Sequence, residues 1–235
     1  HHPEPAGFLP DVPDHSSRYA SGAEVLQHPL HCDLAARGDD LDAAAPRGMA
    51  VVDPLKLVLT NVAEGFEETL TFSNHPKDES AGTRTVPFSN ELWIEREDFE
   101  EVPPKGFKRL IPGGEVRLRG AGIFRCDEVI KDGDKVIEIR GVLDPESRPG
   151  MAGADRKIKG TIHWVSAKHA AKAEVRLYDR LFVVPDPDND EGGKTYKDHL
   201  NPESRRVVTG YVEPAAANAA PEQSFQFERI GYFVA

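Results

Sequence analysis

From Met49 onward the chain sustains no helical repeat, and short apolar runs alternate with turn-forming residues. That punctuation limits the fold more than any other property of the sequence. MAVVDPLKLVLTNV (49–62) splits at Asp53-Pro54 into two apolar runs, the pattern of a strand, a turn and a second strand. EETLTFSN alternates before a turn at His75-Pro76, and TRTVPFSNELWIER predicts two strands around Pro87. KVIEIRGVL, KIKGTIHWVS, AEVRLYDRLFVV and RRVVTGYVE follow at the spacing of all-β barrels and sandwiches, and FQFERIGYFVA completes the set. The expectation is an all-β protein of antiparallel barrels with little helix. Its 235 residues suffice for one large core or two small ones.

The segment before Met49 reads differently. Residues 1–30 scatter Pro, His, Ser and Gly without periodicity and predict a poorly ordered tail, while 32–47 predicts one short helix ended by Pro46. Residues 1–45 hold eight acids against two bases, a net of -6, so the rest of the chain carries -5 of the total -11. Against that acidity, KGFKRLIPGGEVRLR and the residues to Arg125 concentrate six bases (Lys105, Lys108, Arg109, Arg117, Arg119, Arg125) beside one acid, Glu115. Pro112-Gly113-Gly114 supplies a turn. EVRLR alternates as a half-buried strand, with Arg117 and Arg119 on one face about 6.6 Å apart. Guanidinium forks at that spacing suit phosphates and base edges. A solvated strand face balanced by acids elsewhere explains the same charges equally well.

Several chemistries are disfavoured. An acidic chain lacks the broad basic surface of a non-specific nucleic-acid binder, though not the local face of a specific one. Cys32 and Cys126 stand far apart in unlike contexts, against a disulfide framework. HPLHC at 28–32 has no second ligand pair nearby. DPDNDEGG at 186–193 places Glu191 where a calcium loop needs glycine. No glycine cluster forms a phosphate loop leading into a helix. His163 and His169 lie near Ser166, but proximity in sequence is no triad, and a packed histidine is the better reading of His163. A hydrolase built on them ranks below binding. Nothing resembles a membrane span or a signal peptide, so a cytoplasmic location is expected.

Taken in order, APRGMAVVDPLKLVL, SNHP, RTVPFSNELWIEREDF, FKRLIPGGEVRLR, RKIKGTIHWVSAKHA, EVRLYDRLFVVPDPD, NPES and FQFERIGYF resemble the C-terminal, anticodon-binding half of the glutaminyl-tRNA synthetases, class I aminoacyl-tRNA synthetases. The likeness covers most of residues 34–235. Related glutamyl enzymes share the region, but FQFERIGYF and IHWVSA fit the glutaminyl version better. The resemblance implies two stacked antiparallel β-barrels: a proximal one from 46–98 plus 168–235, and a distal one from 99–167. Residues 1–45 would be a tail and the remnant of a linker to a catalytic domain. It also implies anticodon contacts by Arg117 and Arg119 to the first base, Arg47 and Gln226 to the second, and Arg109 with Lys108 to the third, with Arg229 supporting the second.

Two departures stand out, Lys77 in place of the asparagine that directly follows NHP and Asp42 in place of another before APR. HPEPAGFLPDVPDH resembles the first half of the family's ATP-binding string, but its His-Ile-Gly-His portion and the Met-Ser-Lys loop do not occur. The chain alone is therefore expected to hold no cofactor and form no glutaminyl adenylate, with ATP used by the full-length enzyme. Expected partners are the tRNA for glutamine and a catalytic domain in cis or in trans, with the chain monomeric and away from membranes. The competing reading is a β-barrel protein-interaction module that has lost RNA reading.

Overall fold

The computed structural model describes Ala23–Leu26 (backbone only), Asp42, residues 44–189 and residues 192–235. Most of the predicted tail, most of the helix expected before Pro46, Cys32, the HPLHC string and the centre of the 186–193 loop lie outside these residues. Sixteen strands follow in order: β1 (Ala23–Leu26), β2 (Arg47–Gly48), β3 (Ala50–Val51), β4 (Pro54–Leu59), β5 (Glu67–Ser73), β6 (Thr83–Ser89), β7 (Glu91–Glu95), β8 (Glu115–Leu118), β9 (Gly122–Asp132), β10 (Lys135–Asp144), β11 (Thr161–Ile162), β12 (Val165–Ser166), β13 (Ala171–Tyr178), β14 (Arg205–Val212), β15 (Ser224–Phe227) and β16 (Gly231–Val234). One turn of helix, α1 (Pro214–Ala217), sits between β14 and β15.

The strands form two seven-stranded sheets and a two-stranded ribbon. The first sheet runs β2-β15-β16-β1-β13-β14-β3, the second β11-β8-β9-β10-β4-β7-β12, and the ribbon is β5-β6. Both sheets curl round on themselves by one device. β2 and β3 occupy opposite edges of the first sheet yet are separated by Met49 alone, so a single broken strand joins the two edges. In the second sheet β11 and β12 do the same across His163-Trp164. Joining the edges removes the exposed ladders that an open sheet must protect.

The all-β barrel expectation holds, with three local differences. The barrels are not purely antiparallel, because β4 runs parallel to β10, β8 to β11, β2 to β15 and β1 to β16. Pro87 lies inside β6 opposite Thr69 rather than between strands, which a two-stranded ribbon tolerates since Pro needs only a ladder position that donates nothing. The boundary drawn at residue 98 does not follow the hydrogen bonding either. β4 and β7 pair with each other and, through β10 and β12, belong with 115–166, whereas only β2 and β3 from that part join 171–234. Leu55, Leu57 and Leu59 of β4 accordingly point into the second barrel's core.

That core is centred on Trp164, fully buried at the break between β11 and β12. Its ring meets Phe88 edge-on at 4.9 Å and Phe72 at 6.4 Å, and its indole N–H donates to the carbonyl of Arg119 at 2.9 Å. The ribbon thereby packs on the second barrel. A smaller core in the first barrel gathers Val175, Val212, Phe225, Phe227 and Phe233. Trp164→Ala should remove about 3–5 kcal/mol of stability, as large-to-small aromatic truncations in cores do. Urea unfolding checks this, and a loss below about 1 kcal/mol would contradict the placement of Trp164 at the centre of the core.

Candidate nucleic-acid interface

The alternation of SFQF buries Phe225 and Phe227 and turns Gln226 to the outer face of β15. Gln226 is in register with Arg47 of β2 on one side and with Tyr232 of β16 on the other. Residues in register on neighbouring strands share a face, so Arg47, Gln226 and Tyr232 form one row. Asp42 caps it. Its Oδ1 accepts from Arg47 Nη2 at 2.7 Å and from the Tyr232 hydroxyl at 3.3 Å, and Lys77 Nζ stands 3.8 Å from Oδ2. The Arg47 hydrogen bond holds the Asp42 carboxyl below its ordinary pKa. The two departures noted in the sequence, Asp42 and Lys77, are thus partners of each other and of the predicted site. Within the row, Arg47 Nη1 and Gln226 Oε1 are buried polar atoms with no protein partner. Such atoms cost about 1–3 kcal/mol each when left unpaired. One is a donor and the other an acceptor.

Two residues beyond Gln226 on the same face, Glu228 pairs with Arg119 Nε, which joins the first barrel to the β8–β9 turn of the second. Arg119 is fixed there through its backbone, donating to Ile162 O at 2.9 Å and accepting from Trp164. Arg229 follows in the β15–β16 turn with a positive φ of 68°, a conformation that costs a non-glycine residue about 1–3 kcal/mol. The turn directs its guanidinium into the second barrel. There Nη1 and Nη2 donate to Asp98 Oδ2 and Oδ1 at 2.8 and 2.5 Å, and Nη1 donates to His163 Nδ1 at 3.3 Å. Burial works against the charged form of Arg229, yet the Asp98 carboxylate outweighs it and keeps the pKa above the ordinary value. Arg109 Nε reaches the same Asp98 Oδ1 at 3.1 Å. Lys108, next to it, is exposed, and its carbonyl backs so closely on Gly160 (φ 99°) that a Cβ there would sit 2.1 Å away.

Of the seven residues singled out in the sequence, Arg47 and Gln226 are neighbours, Arg109 and Arg229 share one carboxylate, and Arg119 is bound to the residue preceding Arg229. Lys108 borders this group. Arg117 does not join it: β8 alternates as expected, but the Arg117 guanidinium donates to the carbonyls of Arg156 at 2.7 Å and Ser147 at 3.4 Å. His163 is the packed histidine that the sequence favoured, 1% exposed. With Nδ1 accepting from Arg229, its ring proton lies on Nε2, 3.7 Å from Glu95 Oε1. Sequence reasoning missed Asp98, Glu228 and Tyr232. Tyr232 was open to inspection as the partner of Gln226 across the hairpin, while Asp98 is one acid in an acidic run with nothing local to mark it.

A second junction lies behind the row. Arg84 of the ribbon donates through Nε to Glu213 Oε1 at 2.6 Å, with the side chains 9% and 2% exposed, and a Cβ at Gly48 would come within 3.4 Å of that oxygen. Burial raises the Glu213 pKa above its ordinary value, and the Arg84 charge offsets part of that rise. A raised folded-state pKa gives stability that is present below the unfolded value and lost as pH rises through the folded one. Arg84→Met removes the offset. It should cost about 3–5 kcal/mol at neutral pH, the usual result of leaving one buried charge unpaired. The cost should shrink as pH falls toward 4.5, where Glu213 is protonated more readily. Urea unfolding across that range checks it, and a cost independent of pH would contradict it.

Compared with known proteins, residues 45–144 match the family described as "tRNA synthetases class I (E and Q), anti-codon binding domain". Residues 161–235 match a second family of the same description. A protein of Xanthomonas euvesicatoria pv. vesicatoria named glutamine–tRNA ligase is 75% identical over 198 residues, which cover 84% of this chain and 34% of that protein. One of Xylella fastidiosa with the same name is 68% identical over 197 residues, 83% of this chain and 34% of its own length. The chain therefore spans about a third of the relatives it matches.

Proposed function

Because the chain belongs to the anticodon-binding domains of the class I tRNA synthetases (E and Q), we propose that it binds a tRNA by its anticodon loop, and that this tRNA is the one charged with glutamine. The observation that carries the reading is the row on the first barrel. Arg47 and Gln226, in register on adjacent strands, hold one unpartnered donor and one unpartnered acceptor beneath the surface, which a base edge inserted into the row would satisfy, and Tyr232 lies in register on the other side of Gln226. Loop bases splayed from their stack are recognised in this way, by edge hydrogen bonds and ring faces. Gln226 and Arg47 take the second anticodon base, with Arg229 in support. Arg109 and Lys108 take the third. Arg119 takes the first with Arg117, although the carbonyl contacts of Arg117 must loosen for it to reach a base.

The ligation of glutamine to that tRNA, with the ATP it consumes, is assigned to a longer protein of the kind represented by the relatives, with this chain as its tRNA-reading part. That protein would act as a monomer in the cytoplasm. Among the described residues no helix is long and apolar enough to cross a membrane.

Titration with anticodon stem-loops tests the proposal. A stem-loop changed at the middle base should bind more weakly than the glutamine anticodon, and equal affinity would overturn the reading. The dissociation constant should rise steeply with salt as phosphate contacts release counterions, with a log–log slope of about 0.7 per neutralised phosphate on a single strand. Arg119→Ala should weaken binding by about 1–3 kcal/mol at fixed salt, the value of one bidentate base contact. An unchanged constant would remove Arg119 from the interface.

A further inference from the structure

Resting on that reading, we propose that Asp98 is a positioning residue that couples recognition of the second anticodon base to recognition of the third. Its carboxylate is completely buried (0% exposed) at the meeting of the two barrels, and guanidinium groups from both reach it. Arg229, carried by the first barrel next to the Arg47 and Gln226 row, engages both oxygens. Arg109, carried by the second, reaches Oδ1 at 3.1 Å. Oδ1 is therefore shared between the residue that supports the second base and the one that contacts the third. Asp98 is anchored through its backbone as well, its carbonyl accepting from the Leu110 N–H at 2.9 Å, so the segment holding Arg109 moves with it.

The two cations meet three acids, the buried Asp98, the exposed Glu97 3.5 Å from Arg109, and Glu95, whose charge also acts on Arg229, and Arg109 is the more exposed of the two guanidinium groups. A base acceptor or phosphate that draws on Arg109 orders this guanidinium. The ordered Arg109 fixes the Asp98 carboxylate, and the fixed carboxylate holds Arg229 in its left-handed turn against His163. Filling one base position prepares the other. A wrong base at either position consequently forfeits part of the binding at both, and two wrong bases cost less than the product of the single losses.

The test is a thermodynamic cycle on the RNA. Dissociation constants are measured at fixed salt for the glutamine anticodon stem-loop and for stem-loops changed at the second base, at the third, and at both. With the wild-type chain the double change should fall short of the product of the single factors by about threefold or more, the scale of coupling between groups that share a partner. Asp98→Asn keeps the shape but not the charge and should bring the double change to the simple product. Asp127→Asn, which alters the partner of the exposed Arg125 on β9, should leave the shortfall intact and shows that general loosening is not responsible. Multiplicative losses in the wild-type chain overturn the coupling while the anticodon reading stands, and they decide the matter even if Asp98→Asn fails to fold. A shortfall that persists unchanged in folded Asp98→Asn also overturns it. Absence of any base discrimination in the wild-type chain overturns the anticodon reading and this inference together.

Discussion

Each of the two barrels is closed by a strand that breaks and pairs with both edges of its sheet, and the rest of the architecture depends on where those breaks fall. The first break, at Met49, puts Arg47 on the half-strand that lies beside Gln226. The second, at His163-Trp164, supplies the Ile162 carbonyl and the indole that hold the backbone of Arg119, and the imidazole that meets Arg229. The side chains assigned to RNA reading therefore stand round the two closures. Closure costs conformational freedom at a few residues but leaves no open edge, and it lets a stable core end directly at a polar surface.

The charge economy of the surface follows from the same arrangement. An acidic protein cannot offer a broad cationic field, and the described cations at the site are mostly held by acids: Arg47 by Asp42, Arg119 by Glu228, Arg109 and Arg229 by Asp98. Such pairing suppresses adventitious attraction to nucleic acid while keeping each guanidinium in a defined direction. Discrimination then comes from geometry and from the unpaired donor and acceptor in the Arg47–Gln226 pair rather than from net charge.

Much of the strand content was legible because alternation is local. The half-buried faces of EVRL and SFQF, and the break at Asp53-Pro54, are visible in the residues themselves. What was not legible depends on partners far along the chain. Nothing in PLKLVL announces that β4 lies parallel to β10 some eighty residues later, as Lys56 opposite Glu138 shows, so the barrel boundary drawn at residue 98 does not match the sheets. The split closing strands are equally hidden, since two-residue strands carry no period. Arg117 looked equivalent to Arg119 by spacing, yet the loop carrying Arg156 captures it. Asp42, visible in the sequence only as a departure from the family's string, is the partner that orients Arg47.

The central claim is that one continuous surface, running from Tyr232 through Gln226 and Arg47 to Arg119, Arg229 and Arg109, receives the anticodon bases. A photo-crosslink from 4-thiouridine placed at the middle anticodon position, with the adduct mapped by mass spectrometry, tests this most directly. The account predicts adducts on the segments 45–48 and 224–235. Adducts confined to the β9–β10 hairpin around Gly133, or to the loop between β13 and β14, would contradict it.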